Sequence, residues 1–209
     1  MKRSFLLLFL SFATTAFAQD PATAPRELRV GPGEAFAKPS DAARAARDGD
    51  TVVIEAGEWK GDVCVWRAND LTILGAGADA TVLDAEGRAA AGKGLWVVQG
   101  TNVAIRGVTL RGAACPDRNG AGIRHEADGA LTVTDCRSSY LVDCPNGGRV
   151  RIAGCRFVQS PVAPNGTMVS VGEEGGLHPG SVLDQRDNRF ENRRANGTEI
   201  RSLVPLATP

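Results

Sequence analysis

From residue 50 onward the hydrophobic positions recur with a period of two, not 3.6, and this is the signature of strands with one buried face. One pattern repeats: apolar, any, apolar, two residues, small or apolar, any, apolar. It appears as Val103, Ile105, Val108, Leu110, then as Leu131, Val133, Cys136, and again as Val150, Ile152, Cys155, Phe157. A degraded copy runs from Leu183 to Phe190, and an early one opens at Leu71 and Ile73. Each copy follows a turn sequence: Asn69-Asp70, Thr101-Asn102, Asp128-Gly129, Gly147-Gly148 or Pro179-Gly180. A second apolar pair lies upstream of each copy, at offsets of eight (Val63, Leu95, Ile123, Val142) and six residues (Val65, Val97, His125, Cys144). The register residues 71, 103, 131, 150 and 183 are 32, 28, 19 and 33 apart. Units of this length cannot bury their own apolar faces, so the spacing predicts a stacked solenoid of parallel strands. An antiparallel sandwich also alternates strands and turns, but it gives no reason for one register to recur in successive units.

Ahead of the repeats the pattern changes. Ser40, as N-cap, opens a short alanine-rich helix that Gly49 ends. The β-rich run Asp50 to Gly57 follows. Residues 19–39, rich in Pro, Ala and Gly, read as a linker or lead-in. The N-terminus itself has a basic pair, Lys2 and Arg3, an apolar run Phe5 to Phe12, and the small-residue site Ala16-Phe17-Ala18. This is the order of a secretory signal peptide, too short to span a bilayer, with cleavage expected after Ala18. The expected division is a signal at 1–18, a lead-in at 19–39, a solenoid at 40–192 and an irregular tail at 193–209. The expected location is periplasmic or secreted, with no membrane attachment after cleavage.

The segment "SDAARAARDGDTVVIEAGEW" (Ser40 to Trp59) and the repeats "NVAIRGVTLRG", "ALTVTDCR" and "GRVRIAGCRF" resemble the N-terminal cap and the coils of the pectin-lyase-like superfamily. The resemblance covers roughly residues 38 to 192. It implies an all-β fold, a right-handed parallel β-helix with a short N-terminal capping helix. It also implies a choice among polysaccharide lyases, glycan hydrolases, epimerases and non-catalytic members. Two departures stand out. The spacing of 19 between Leu131 and Val150 leaves little room for a third strand. The tail from Asn192 shows no polar cap, which leaves a last coil whose edge invites self-association.

Charge narrows the partners. Lys plus Arg and Asp plus Glu both number 24; without Lys2 and Arg3 the chain sits near −2, which argues against a nucleic-acid partner. Thr109, Arg137, Arg156 and Arg189 share one outward position on successive units. A row of like charges repels itself unless anions lie along it, and arginine takes carboxylates in pairs of hydrogen bonds. An acidic, uronate-type polysaccharide fits such a row; solvated arginines screened by salt, Asp135 and Asp187 are the plain alternative. Arg124 and His125 are the catalytic candidates, His125 as a general base of near-neutral pKa. The alternatives are a core histidine and an ion pair from Arg124 to Asp143 on the next unit. Tyr140 lies roughly 13 Å along an extended chain from the His125 stack, too far to work with it. His178 sits in a glycine-rich loop.

No cofactor is evident; calcium enters through the resemblance alone, since no three acids share an outward column. The five cysteines include Cys136 and Cys155 on one inward column, either a disulfide or packed thiols; Cys64, Cys115 and Cys144 have no evident partner. Asn165-Gly166-Thr167 and Asn196-Gly197-Thr198 read as turns. Three functional readings remain: an enzyme of acidic polysaccharide (lyase- or epimerase-like), a non-catalytic envelope module binding glycan or protein, and a shortened inactive relative.

Overall fold

The structure is a computed structural model that describes residues 24–116, 120–138, 142–158, 169–171 and 181–191. The signal-like leader, Tyr140, His178, both Asn-Gly-Thr sequences and the tail from Asn192 lie outside the described residues.

The two-residue period becomes a solenoid of three strands per coil. After β1 (Glu27–Val30) and α1 (Pro39–Ala45), the first coil is β2 (Thr51–Ile54), β3 (Gly57–Lys60) and β4 (Cys64–Trp66). The next is β5 (Thr72–Gly75), β6 (Thr81–Asp84) and β7 (Gly94–Val98). Then come β8 (Val103–Arg106), β9 (Thr109–Arg111) and β10 (Ala121–His125), followed by β11 (Ala130–Thr134), β12 (Arg137–Ser138) and β13 (Val142–Cys144). The last coils hold β14 (Arg149–Ala153), β15 (Arg156–Val158) and β16 (Val169–Val171), then β17 (Val182–Arg186) and β18 (Arg189–Glu191). Equivalent strands stack in parallel into three sheets: a first of seven strands that includes β1, a second of six, a third of five.

The repeat pattern is the first strand, a corner and the second strand of each coil. Val52, Ile73, Ile105, Val133 and Ile152 pair rung to rung down the first sheet, all buried. Each such side chain removed from water contributes roughly 1.5–3 kcal/mol. The two residues between the apolar pairs make the bend. Its left-handed residue is Gly107, Asp135, Gly154 and Asp187 in successive coils, with φ of 69°, 52°, 64° and 53°. Glycine adopts this conformation freely and aspartate more readily than most residues.

Three expectations need correction. The lead-in contributes β1, whose Leu28 and Val30 are buried against the first coil. The helix begins two residues earlier: Lys38 is its N-cap and Pro39 its first residue, so Ser40 lies inside it and donates its backbone N–H to Asp62 (2.9 Å). It ends at Ala45, and Gly49 (φ 81°) makes the turn into β2 instead. The short coil does keep a third strand, because β12 needs only two residues.

The offset of the third strands also differs from six. Trp66 and Val98 precede their register residues by five, His125 and Cys144 by six. The pairs are therefore Trp66 with Val98 and Val98 with His125, while Val65 and Val97 share the column of Arg124. A one-residue slip exchanges the faces of a strand. It escapes the hydrophobic pattern here because β7 is buried on both faces. Trp66 and Trp96 both point inward and meet edge to face, ring centroids 5.5 Å apart.

Candidate functional site: the arginine face of the second sheet

The row expected from sequence exists. Thr109 pairs with Arg137, Arg137 with Arg156, and Arg156 with Arg189, each on the next rung of the second sheet. The inward neighbours of Thr109, Arg137 and Arg156 are buried, so alternation turns Arg137 and Arg156 outward. Arg137 and Arg156 line a groove of about 260 Å³ with Asp79, Thr109, Arg111 and Val158. Arg189, the most exposed of the row, is not part of its lining.

The acids that relieve the row are not those expected. Asp135 pairs with Arg106 (3.0 Å), and Asp187 lies near Arg186. Glu191 takes both Nε and Nη2 of Arg156 (3.0 and 2.7 Å) and also meets Arg189 Nε at 2.9 Å. These bonds hold the Arg156 guanidinium charged, its pKa raised first by the hydrogen bond to Glu191. Asp79 meets Arg137 Nη2 at 2.7 Å. On the far side of the groove Arg111 holds Asp84 (2.8 Å) and Glu58 (2.6 Å). Burial raises the Asp84 carboxyl, but the Glu86 N–H and Arg111 outweigh it and keep it ionised below the usual range. The Thr109 hydroxyl donates to the carbonyl of Ala78 and so pins the turn carrying Asp79 onto the sheet.

Asp79, Arg111 and Glu191 were not singled out from sequence. Glu191 was within reach, because it lies two residues from Arg189 on the same outward face. Asp79 stands in a turn two coils away from Arg137, its partner in the row, and no periodicity marks it.

The catalytic pair does not assemble. His125 points into the core and is fully buried. Its Nε2–H donates to the Gly100 carbonyl (3.3 Å), while buried Nδ1 has no partner among the described residues. Burial lowers its pKa against the opposing pull of Gly100 and Asp128. A general base must reach a substrate proton, and this ring reaches none, so the role expected for it is withdrawn. Arg124, next in the strand, faces the other way and forms an ion pair with Asp143. Burial raises the Asp143 carboxyl and outweighs Arg124. The plain alternative, an inter-coil pair, is therefore what the geometry gives for Arg124.

No disulfide joins the five cysteines, all buried. Cys136 donates its backbone N–H to Cys155 Sγ (3.5 Å) on the next rung. The hydrogen bond between the thiols, and then burial, raises the Cys136 pKa, while the same bond lowers that of Cys155 against the opposing effect of burial. They pack as a thiol ladder. Among the described residues no three His, Cys, Asp or Glu side chains converge as metal ligands. No helix of the described residues is long and apolar enough to cross a membrane.

No protein-family model matches the chain, and no curated sequence does. Solved structures do match in shape. A pectin methylesterase of Erwinia chrysanthemi superposes with a TM-score of 0.50 at 16% identity, covering 62% of this chain and 48% of its own. The pectin methylesterase from carrot gives 0.53 at 12% identity, covering 81% of this chain and 64% of its own. A mutant pectin methylesterase solved in complex with a hexasaccharide gives 0.53 at 13% identity, covering 81% and 67%. This chain thus spans about half to two thirds of their length. Such identities carry the fold alone. Parallel sheets, coils stacked rung on rung and these superpositions together show that the chain has the right-handed parallel β-helix fold of these pectin methylesterases.

Proposed function

We propose that this chain is an exported module that binds acidic, uronate-type polysaccharide along the arginine face of its second sheet. The observation that carries the reading is the groove itself. Two arginines on consecutive rungs line it, with a third on the next rung. Rungs of a parallel sheet repeat about every 4.8 Å, and arginine forks suit carboxylates. The oligosaccharide held by a pectin methylesterase of the same fold is in keeping with this reading. Binding is preferred to catalysis because the one described histidine is buried and the carboxylates at the groove, Asp79, Asp84 and Glu191, are each held by an arginine.

The test is a thermal melt of the chain followed by circular dichroism, alone and with polygalacturonate, alginate and a neutral glucan. A ligand that binds only the native state raises the melting temperature. A rise with a polyuronate, absent with the neutral polymer and lost in Arg137→Ala plus Arg156→Ala, is the expected result. A sharp melt that no polymer shifts removes this reading and points to a protein partner or scaffold role.

A further inference from the structure

The guanidinium of Arg137 is only half used. Its Nη2 meets Asp79 at 2.7 Å, while its Nε is buried without an acceptor among the described residues. Arg156, one rung away, shows the full arrangement, with Nε and Nη2 gripping the two oxygens of one carboxylate. The two acids are also held differently. The Glu191 side chain is 18% exposed and bridges two arginines. The Asp79 side chain is 84% exposed. Its turn is fixed, since the N–H groups of Ala80 and Thr81 both bond the Gly77 carbonyl (2.9 and 2.8 Å) and Thr109 holds Ala78. The backbone therefore delivers a carboxylate to the groove and leaves that carboxylate in water. Asp79 also acts on Arg156, whose charge it favours.

We propose that Asp79 is an internal stand-in for a ligand carboxylate: a free uronate carboxylate displaces it and takes Arg137 side-on through Nε and Nη2. The inference rests on the polyuronate reading above and deepens it. The ligand must present a carboxylate rather than its methyl ester, because an ester lacks the charge needed to compete with Asp79. Asp79 then sets the threshold of uronate that the groove accepts. Exchange costs little, since an exposed ion pair holds its partner by a factor of about five at most.

The experiment is isothermal titration of a galacturonate oligosaccharide, as free acid and as methyl ester, into the full chain. Three variants accompany the parent: Asp79→Asn, Arg137→Gln and Asp41→Asn. The last removes the same charge at α1, which packs on β1 and β4 and not on the groove. Melting curves confirm that each variant folds. Asp79→Asn is expected to bind the free acid roughly two- to fivefold more tightly than the parent. Asp41→Asn should match the parent, Arg137→Gln should lose binding, and the methyl ester should bind weakly throughout. Equal affinity of parent and Asp79→Asn overturns the displacement idea, yet leaves the arginine reading standing if Arg137→Gln still loses binding. If Arg137→Gln binds like the parent, or nothing binds at all, the arginine reading falls and this inference falls with it.

Discussion

At the scale of single residues, His125 and Arg137 show why a side chain's chemistry does not announce its use. Both stand in stacked columns, but one faces the core and the other the groove. His125 makes a specific pH prediction. Its folded pKa is lowered by burial, whereas the unfolded value is about 6.5. Above that pH both states are neutral and it contributes no slope. As pH falls below about 6.5 the unfolded chain takes up a proton that the folded one resists, so stability drops toward the folded pKa. Asp143, raised by burial, has the opposite sign: its contribution is present below about 3.9 and lost as pH rises through its folded pKa. Comparing the chain with His125→Leu cancels Asp143. Urea unfolding of the variant should show a loss of about 1 kcal/mol at pH 7.5 and a shallower decline between pH 7 and 5. Parallel pH profiles for the two chains contradict the assignment.

At the scale of elements, the coils were legible because strand, corner and strand recur in one register, and burial enforces that register. The first and second strands read correctly down to the pairing of Arg137 with Arg156. The third strands slipped by one residue in two coils, since the turn after β4 and β7 is one residue shorter and β7 gives no alternation to reveal it. Charge partners were less legible than strands. Arg124 and Asp143 pair as the column suggested, but Asp79 is delivered by a turn, and turns carry no period. Stacking also sets a steric demand on those turns. A Cβ at Gly100 lies 1.8 Å from the Ala68 carbonyl of the previous coil, a backbone atom with nowhere to go. Gly100→Ala is therefore expected to cost about 3 kcal/mol, read as a lower urea midpoint. An unchanged midpoint means the coils are spaced more loosely than the hydrogen-bonded rungs indicate.

At the scale of the whole molecule, the N-terminal end of the solenoid is closed by more than the helix. Ala42 and Ala43 of α1 pack on the same core as Leu28 and Val30 of β1. Beside them Asp50, buried, accepts bonds from Arg26 and from the backbone N–H of Arg47. Burial raises this carboxyl, but the bonds win and hold it below the usual range. Its stabilising effect is thus present above about pH 3.9 and is lost as pH falls through the folded value. The closed end supports a scaffold on which the second sheet displays its arginines. Whether that display is a binding face is the central question, and equilibrium titration of polygalacturonate at two salt concentrations addresses it most directly. The account expects saturable binding that weakens as salt rises and drops at least tenfold in Arg137→Ala plus Arg156→Ala, with the melt retained. Binding that ignores both salt and the double substitution contradicts it.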